Sequence, residues 1–354
     1  LGAPTNPTLV EGVLASGGGA DVAVGLGPNG TETYVVASAK GTVTYSQDAG
    51  ASWSPELSVQ NATLNAARRV ARFADRWVLV SANGGAVQVH SSTDLTSWTQ
   101  ETVASDITTT CGFNARWYGP SSLVEVDAGG VAPTGFFGSS YSAGYLFYES
   151  APQSWACRPV GTKFNDLVTS GGAIIGINDS GIYRSNDGGV SFSQLTGASV
   201  PADLPALTTA AVDGDIVWVS GNDGYIAKST DQGQTFVKLW SGASYSPALS
   251  LEPPVFIGGN DSITLTLAGN GGPRIQYTQD AGVTWATLDD LAINQKSWRR
   301  GASGTDSMVA VSTTDDVLTL TVASGPVAPG TPTGVAAAAG NTQATVSWSA
   351  PGSD

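Results

Sequence analysis

Chemistry in this chain would have to come mainly from carboxylates, because it holds only one histidine, two cysteines and one methionine. Two carboxylates facing one cleft, about 5–9 Å apart, would cleave a glycosidic bond, one as acid and one as base or nucleophile. Once the acids of repeated turns are set aside, Asp21, Glu125, Asp127, Asp203, Asp215, Glu252, Asp289, Asp290 and Asp306 remain, and no spacing selects a pair among them. A cationic cluster would draw on Arg68, Arg69, Arg72, Arg116, Arg299 and Arg300. His90 sits in an alternating run and reads as a strand residue. Asn178-Asp179, Asn222-Asp223 and Asn260-Asp261 precede Gly or Ser, where a hairpin turn explains them as well as calcium ligation does. No Ser-His-Asp arrangement, metal centre or phosphate loop can be assembled, and no cofactor is expected.

Recognition has better candidates. The irregular stretch Asp106–Ala132 carries Arg116, Trp117 and Tyr118, in which two rings could stack on a sugar or a protein while the guanidinium donates hydrogen bonds. Trp240 and Tyr245 form a second aromatic group. Packing inside an enlarged repeat accounts for these side chains equally well. Cys111 and Cys157 would close a long loop if bridged, adding roughly 4 kcal/mol in the chain-entropy picture; two buried thiols are the alternative.

The elements that position these residues are repeats. Ser46, Asp48, Gly50 and Trp53 begin a series in which Ser/Thr-x-Asp-x-Gly-x-Ser/Thr-Trp/Phe recurs. The other complete copies carry Ser185, Asp187, Gly189 and Phe192; Ser229, Asp231, Gly233 and Phe236; and Thr278, Asp280, Gly282 and Trp285. Degraded copies close at Trp98, which keeps Asp94, and at Trp155. Ser/Thr and Asp oxygens can accept from turn amides, Gly permits left-handed backbone, and the closing ring anchors the turn, so these residues read as structural.

Short alternating runs precede each turn, at a spacing of about 46 residues. That period predicts an all-β, seven-bladed β-propeller over residues 8–324. The last unit (Ser297–Ala302, Ser307–Val311, Val317–Val322) supplies three strands, and Thr8–Leu14 is expected to complete it. Residues 325–332 read as a Pro/Gly linker, and 333–354 as the start of a further domain.

Charged residues make up 12% of the chain, yet its net charge is -14, which opposes nucleic acid and anionic membrane surfaces. No apolar run is long enough for a spanning helix, so membrane insertion is not expected.

The repeated turn resembles the Asp-box, or BNR, repeat of sialidase-like β-propellers, and Thr333-Gly334-Val335 with Ala344–Pro351 resembles the opening strands of a fibronectin type III domain. A whole domain of that kind needs about 100 residues, so the resemblance implies a longer protein. Asp-box families include sialidases, xyloglucan-degrading glycosidases, sortilin-type receptors and a photosystem assembly factor. The sialidase pattern needs an Arg-Ile-Pro-like segment before the first box, and here no arginine precedes Arg68. The expectation is a non-catalytic extracellular recognition or structural module of a surface, filament or virion protein. Its partner would be a glycan or a protein, with self-assembly included. The rival is a secreted glycoside hydrolase acting on a polysaccharide.

Overall fold

The structure is a computed structural model. It describes residues 5–14, 17–59, 69–83, 86–104, 111, 120–126, 134–139, 144–222, 225–240, 255–257, 263–267, 275–278, 284–287, 298–305, 307–321, 333–340 and 343–349. Arg68, Arg116, Trp117, Tyr118, Tyr245, Asp280 and Gly282 lie outside these residues, as do Asp127, Glu252, Asp289, Asp290, Asp306 and the 325–332 segment.

The four-stranded sheets are antiparallel, and in all but the closing one the strands follow chain order from the innermost outward. The first comprises Gly19–Leu26, Glu32–Ser38, Thr42–Ser46 and Leu57–Ser58; the next, Arg69–Arg72, Trp77–Asn83, Ala86–Ser92 and Thr99–Gln100. Asp166–Ser170, Ala173–Asn178, Gly181–Ser185 and Ser193–Gln194 form another, followed by Leu207–Asp213, Ile216–Gly221, Tyr225–Ser229 and Val237–Trp240. Then come Val255–Ile257, Ile263–Leu267, Ile275–Thr278 and Ala286–Thr287. The closing sheet takes Trp298–Ser303, Ser307–Ser312 and Val317–Thr321 from the end of the domain and Thr5–Val10 from the N-terminus.

Among the described residues these are six four-stranded blades, and the expected seven-bladed propeller is corrected on this point. The unit between Pro120 and Pro159, predicted to be a further copy, is a five-stranded sheet. Its own strands are Pro120–Val126, Thr134–Ser139, Tyr145–Ala151 and Ser154–Pro159, and Thr102–Val103 adds to the last of these in parallel. The physical reason lies in the outer edge. Ser154–Pro159 is six residues long, whereas the outer strands ending in Ser58, Gln100 and Gln194 have two residues each. A long free edge is a pairing hazard, and the incoming chain covers it.

The N-terminal strand runs over Thr5–Val10 rather than Thr8–Leu14, with Leu9 opposite Leu318. Leu14 has left the sheet edge and is fully buried between the closing sheet and the first blade. The one helical turn among the described residues is Gly197–Ser199.

The core lies between sheets. Trp77 and Leu79 join Val35 and Val43; Phe73, Val78 and Val80 join Phe147 and Trp155; Val168 and Ile175 join Val217 and Val219. Second strands such as Ala173–Asn178 and Ser307–Ser312 are buried along their whole length, having a neighbouring sheet on either face. This explains why they read as near-continuous apolar runs.

Candidate functional site

The first strands of successive sheets stand side by side. Trp298–Ser303 neighbours Gly19–Leu26, which neighbours Arg69–Arg72; Pro120–Val126, Asp166–Ser170 and Leu207–Asp213 follow in order. They enclose a channel of about 280 Å³ whose walls carry valines and alanines together with Asp21, Arg69, Ser122, Asp166 and Arg300. The charged residues sit in the opening turns of their strands, on the face where connections between sheets begin and end.

Two buried carboxylates tie neighbouring sheets together. The amide of Val70 donates to Asp21 Oδ2 at 2.9 Å. Asp166 Oδ2 accepts from the Thr209 hydroxyl and the Ala210 amide, both at 3.1 Å, while Leu167 N–H donates to its Oδ1. Arg300 reaches Asp166 at 3.7 Å, across the channel from the closing sheet. Burial pushes the Asp21 carboxyl above its ordinary range, against the opposing pull of Arg69 and Arg300.

A second charged cluster lies outside the channel. Arg76 is buried and divides its guanidinium among Glu101 (2.8 Å), Asp75 (2.9 Å) and Glu149 (2.6 Å). Trp155 Nε1 donates to the other oxygen of Glu101, and Gln153 N–H to Glu149. Burial alone would lower the Arg76 pKa, but Glu101 and Glu149 raise it well above the usual value. Glu125, pushed up by burial, accepts from the Ala74 amide beside this cluster. Among the described residues, the carboxylates with raised pKa, Asp21 and Glu125, thus occupy different places.

The repeated turns have one geometry. Ser46 Oγ accepts from Gly50 N–H at 2.8 Å and donates to Asp48 Oδ1; Asp48 in turn accepts from the Ser52 amide and hydroxyl. The same set recurs at Ser185, Asp187, Gly189 and Ser191 and at Ser229, Asp231, Gly233 and Thr235. Hydrogen bonds from Ser191 hold Asp187 down to about 2. Burial opposes the same effect at Asp231, where Thr235 prevails and the value is also about 2. The copy around Asp94 has lost its glycine, and Leu95 takes the left-handed position at φ 63°. Trp53 Nε1 donates back to Gly50 O, and Trp98, Phe192, Phe236 and Trp285 pack against inter-sheet clusters. Thr278 is buried at the head of the last copy.

Of the arginines the sequence singles out, the channel gathers Arg69 and Arg300. Arg72 instead donates to Leu26 O. Of the leftover carboxylates, Asp21 enters the channel, Asp203 pairs with Lys238, and Asp215 accepts from Gln232. Trp240 ends an outer strand on the channel-mouth face, paired in register with Ile226. His90 is buried in its strand. Asn178 is occupied by Thr162, Lys163 and Ser180, a turn arrangement. Asp166 is absent from the acids the sequence singles out, although Asp21-Val22 and Asp166-Leu167 lie near the starts of equivalent strands and offer a signal. Cys111 and Cys157 form a disulfide, with Cα atoms 6.5 Å apart. Among the described residues no group of His, Cys, Asp and Glu is arranged to hold a metal ion.

No family model matches the chain, and no curated protein matches it. Solved structures share its fold. YCF48 bound to D1 peptide superposes with a TM-score of 0.65 at 13% identity, covering 90% of this chain and 97% of that one. Virginiamycin B lyase from Staphylococcus aureus gives 0.67 at 10% identity over 90% and 99%. BBS1N in complex with ARL6DN gives 0.58 at 11% identity over 92% and 97%. At these identities the likeness shows a β-propeller and nothing about activity.

Proposed function

We propose that the protein is a non-catalytic recognition module of an extracellular or surface-associated protein, and that it binds a peptide or protein segment on the face where the channel opens. The observation that carries this reading is the use made of the channel's acids. Asp166 spends its oxygens on three donors from its own and the next sheet, and Asp21 bonds to the next sheet through Val70. A hydrolytic pair needs two carboxylates turned towards a substrate. Here the buried acids act as ties between strands.

Two further facts support the reading. Two structural neighbours, YCF48 and BBS1N, hold a peptide or a protein. The Cys111–Cys157 bridge suits an oxidising compartment. Kinship with Asp-box propellers and a fibronectin-like start at Thr333–Ser349 belong to the same proposal.

The test measures binding and turnover together. The chain is offered an array of peptides and a panel of soluble polysaccharides, and both retention and released reducing ends are recorded. Retention of peptides without turnover is expected. Release of reducing ends that disappears in Asp21→Asn would overturn the proposal in favour of a glycoside hydrolase.

A further inference from the structure

The N-terminal strand is attached to the ring less firmly than the strand it covers. Thr5–Val10 pairs with a single neighbour, through Thr5–Thr321, Thr8–Thr319, Leu9–Leu318 and Val10–Val317, and the register breaks between Thr5 and Thr8. Val317 and Leu318 are fully buried, whereas Leu9 and Val10 are only half-buried and Thr8 is exposed. The strand's hydrophobic contribution is therefore modest.

Directly after it the chain reverses in three residues. Glu11 and Gly12 are exposed, and Gly12 takes a left-handed conformation at φ 68°. Leu14 then anchors the chain: it is fully buried, and its N–H donates to Asp315 O at 3.4 Å. Gly19 N–H bonds to Thr314 O at 3.0 Å, so the start of the first blade is pinned to the same turn.

The seam between first and closing sheets has ties of its own. Tyr34 Oη donates to Ser307 O at 2.8 Å and accepts from Gly304 N–H at 2.8 Å. Glu32 accepts from the amide and hydroxyl of Thr305 at 2.8 and 2.9 Å. None of these bonds involves residues 5–10. The ring therefore keeps its side-chain closure when the strand leaves.

We infer that Thr5–Val10 is an exchangeable strand, and that a second copy of this chain accepts it beside Val317–Thr321. Extending the turn at 11–13 swings the strand outward from the Leu14 anchor. Short reversing hinges open in this manner, and each pairing lost at home is recovered in the partner, which makes the exchange inexpensive. Both copies carry a net charge of -14, so their approach is opposed at low ionic strength and eased by salt.

Equal amounts of Leu9→Cys and Leu318→Cys chains, each otherwise complete, are mixed at high concentration, warmed and oxidised, and the disulfide-linked peptides are mapped. Neither variant can join positions 9 and 318 within one chain. A 9–318 linked peptide is expected, increasing with salt. Placing Gly12→Val in both chains puts a β-branched residue at positive φ and should raise the yield about ten-fold. Absence of the link in that background overturns the inference. Because Leu318 is buried, a second measurement avoids it: the chain carrying Gly12→Val alone is followed by size exclusion with light scattering. Dimer is expected at high salt, and monomer at every salt and concentration would equally overturn it.

Discussion

A Cβ on Gly50 would lie 2.3 Å from Thr319 Oγ1, so the first repeated turn closes on the last sheet with no space for a side chain. The residue also has φ 86°, which glycine adopts freely and other residues resist. Gly233 repeats the relationship one side of the ring away: a Cβ there would meet Ile175 of the preceding blade at 2.7 Å. The glycine of the turn thus answers both a local and an inter-sheet demand.

Gly50→Ala should therefore destabilise the protein by about 1–3 kcal/mol. Urea unfolding checks this. Thr319→Ala in the same chain should recover only part of the loss, because it removes the clash and leaves the backbone strain. Full recovery would assign the whole effect to packing.

Acid should loosen the repeated turns before it unfolds the rest. Asp187 and Asp231 are held at about 2 in the folded protein, against about 3.9 for a free aspartate. A depressed folded pKa adds stability that is complete above the free value and lost as pH falls through the folded one. Stability should decline from about pH 4 towards about pH 2. Asp187→Asn should show a shallower decline when urea midpoints are compared across that range.

Arg76 holds two buried carboxylates, Glu101 and Glu149, whose side chains are 1% and 7% exposed. Arg76→Met removes their counter-charge and should cost about 3–5 kcal/mol. Adding Glu101→Gln and Glu149→Gln should return a substantial part of it. If the triple variant is no more stable than Arg76→Met, loss of packing on Phe73 rather than uncompensated charge is the cause.

The Cys111–Cys157 bridge closes a 46-residue separation, for which chain entropy predicts about 4 kcal/mol. Cys111→Ala with Cys157→Ala should lower stability by that order in urea. Cys111 is fully buried and Cys157 partly so, so brief reductant should open the bridge slowly in the folded protein and quickly once urea is added. Thiol labelling followed by mass spectrometry reads both outcomes.

Local structure was legible wherever a short run of residues satisfies itself. The hydrogen bonds of Ser46, Asp48 and Ser52 are confined to seven residues, so spacing alone reveals them. The same logic hid the fifth strand. Thr102–Val103 has no pattern of its own and becomes a strand only because Ser154–Pro159 offers a long edge. Leu14 reads as part of the N-terminal strand for a similar reason: its apolar character fits an edge, but the turn at Gly12 sends it inward.

The sequence by itself determined that this is an all-β chain of repeated meanders, where the meanders turn, and that its N-terminus completes its last sheet. Those properties follow from periodicity and from bonds made among near neighbours. Tertiary structure alone decided which charges meet. Asp166 and Arg300 are brought together across the channel only when the ring closes. Arg76 finds Glu101 and Glu149 because neighbouring sheets pack face to face. Partners so distant in the chain leave no spacing rule behind, since their contact depends on the closure of the whole ring.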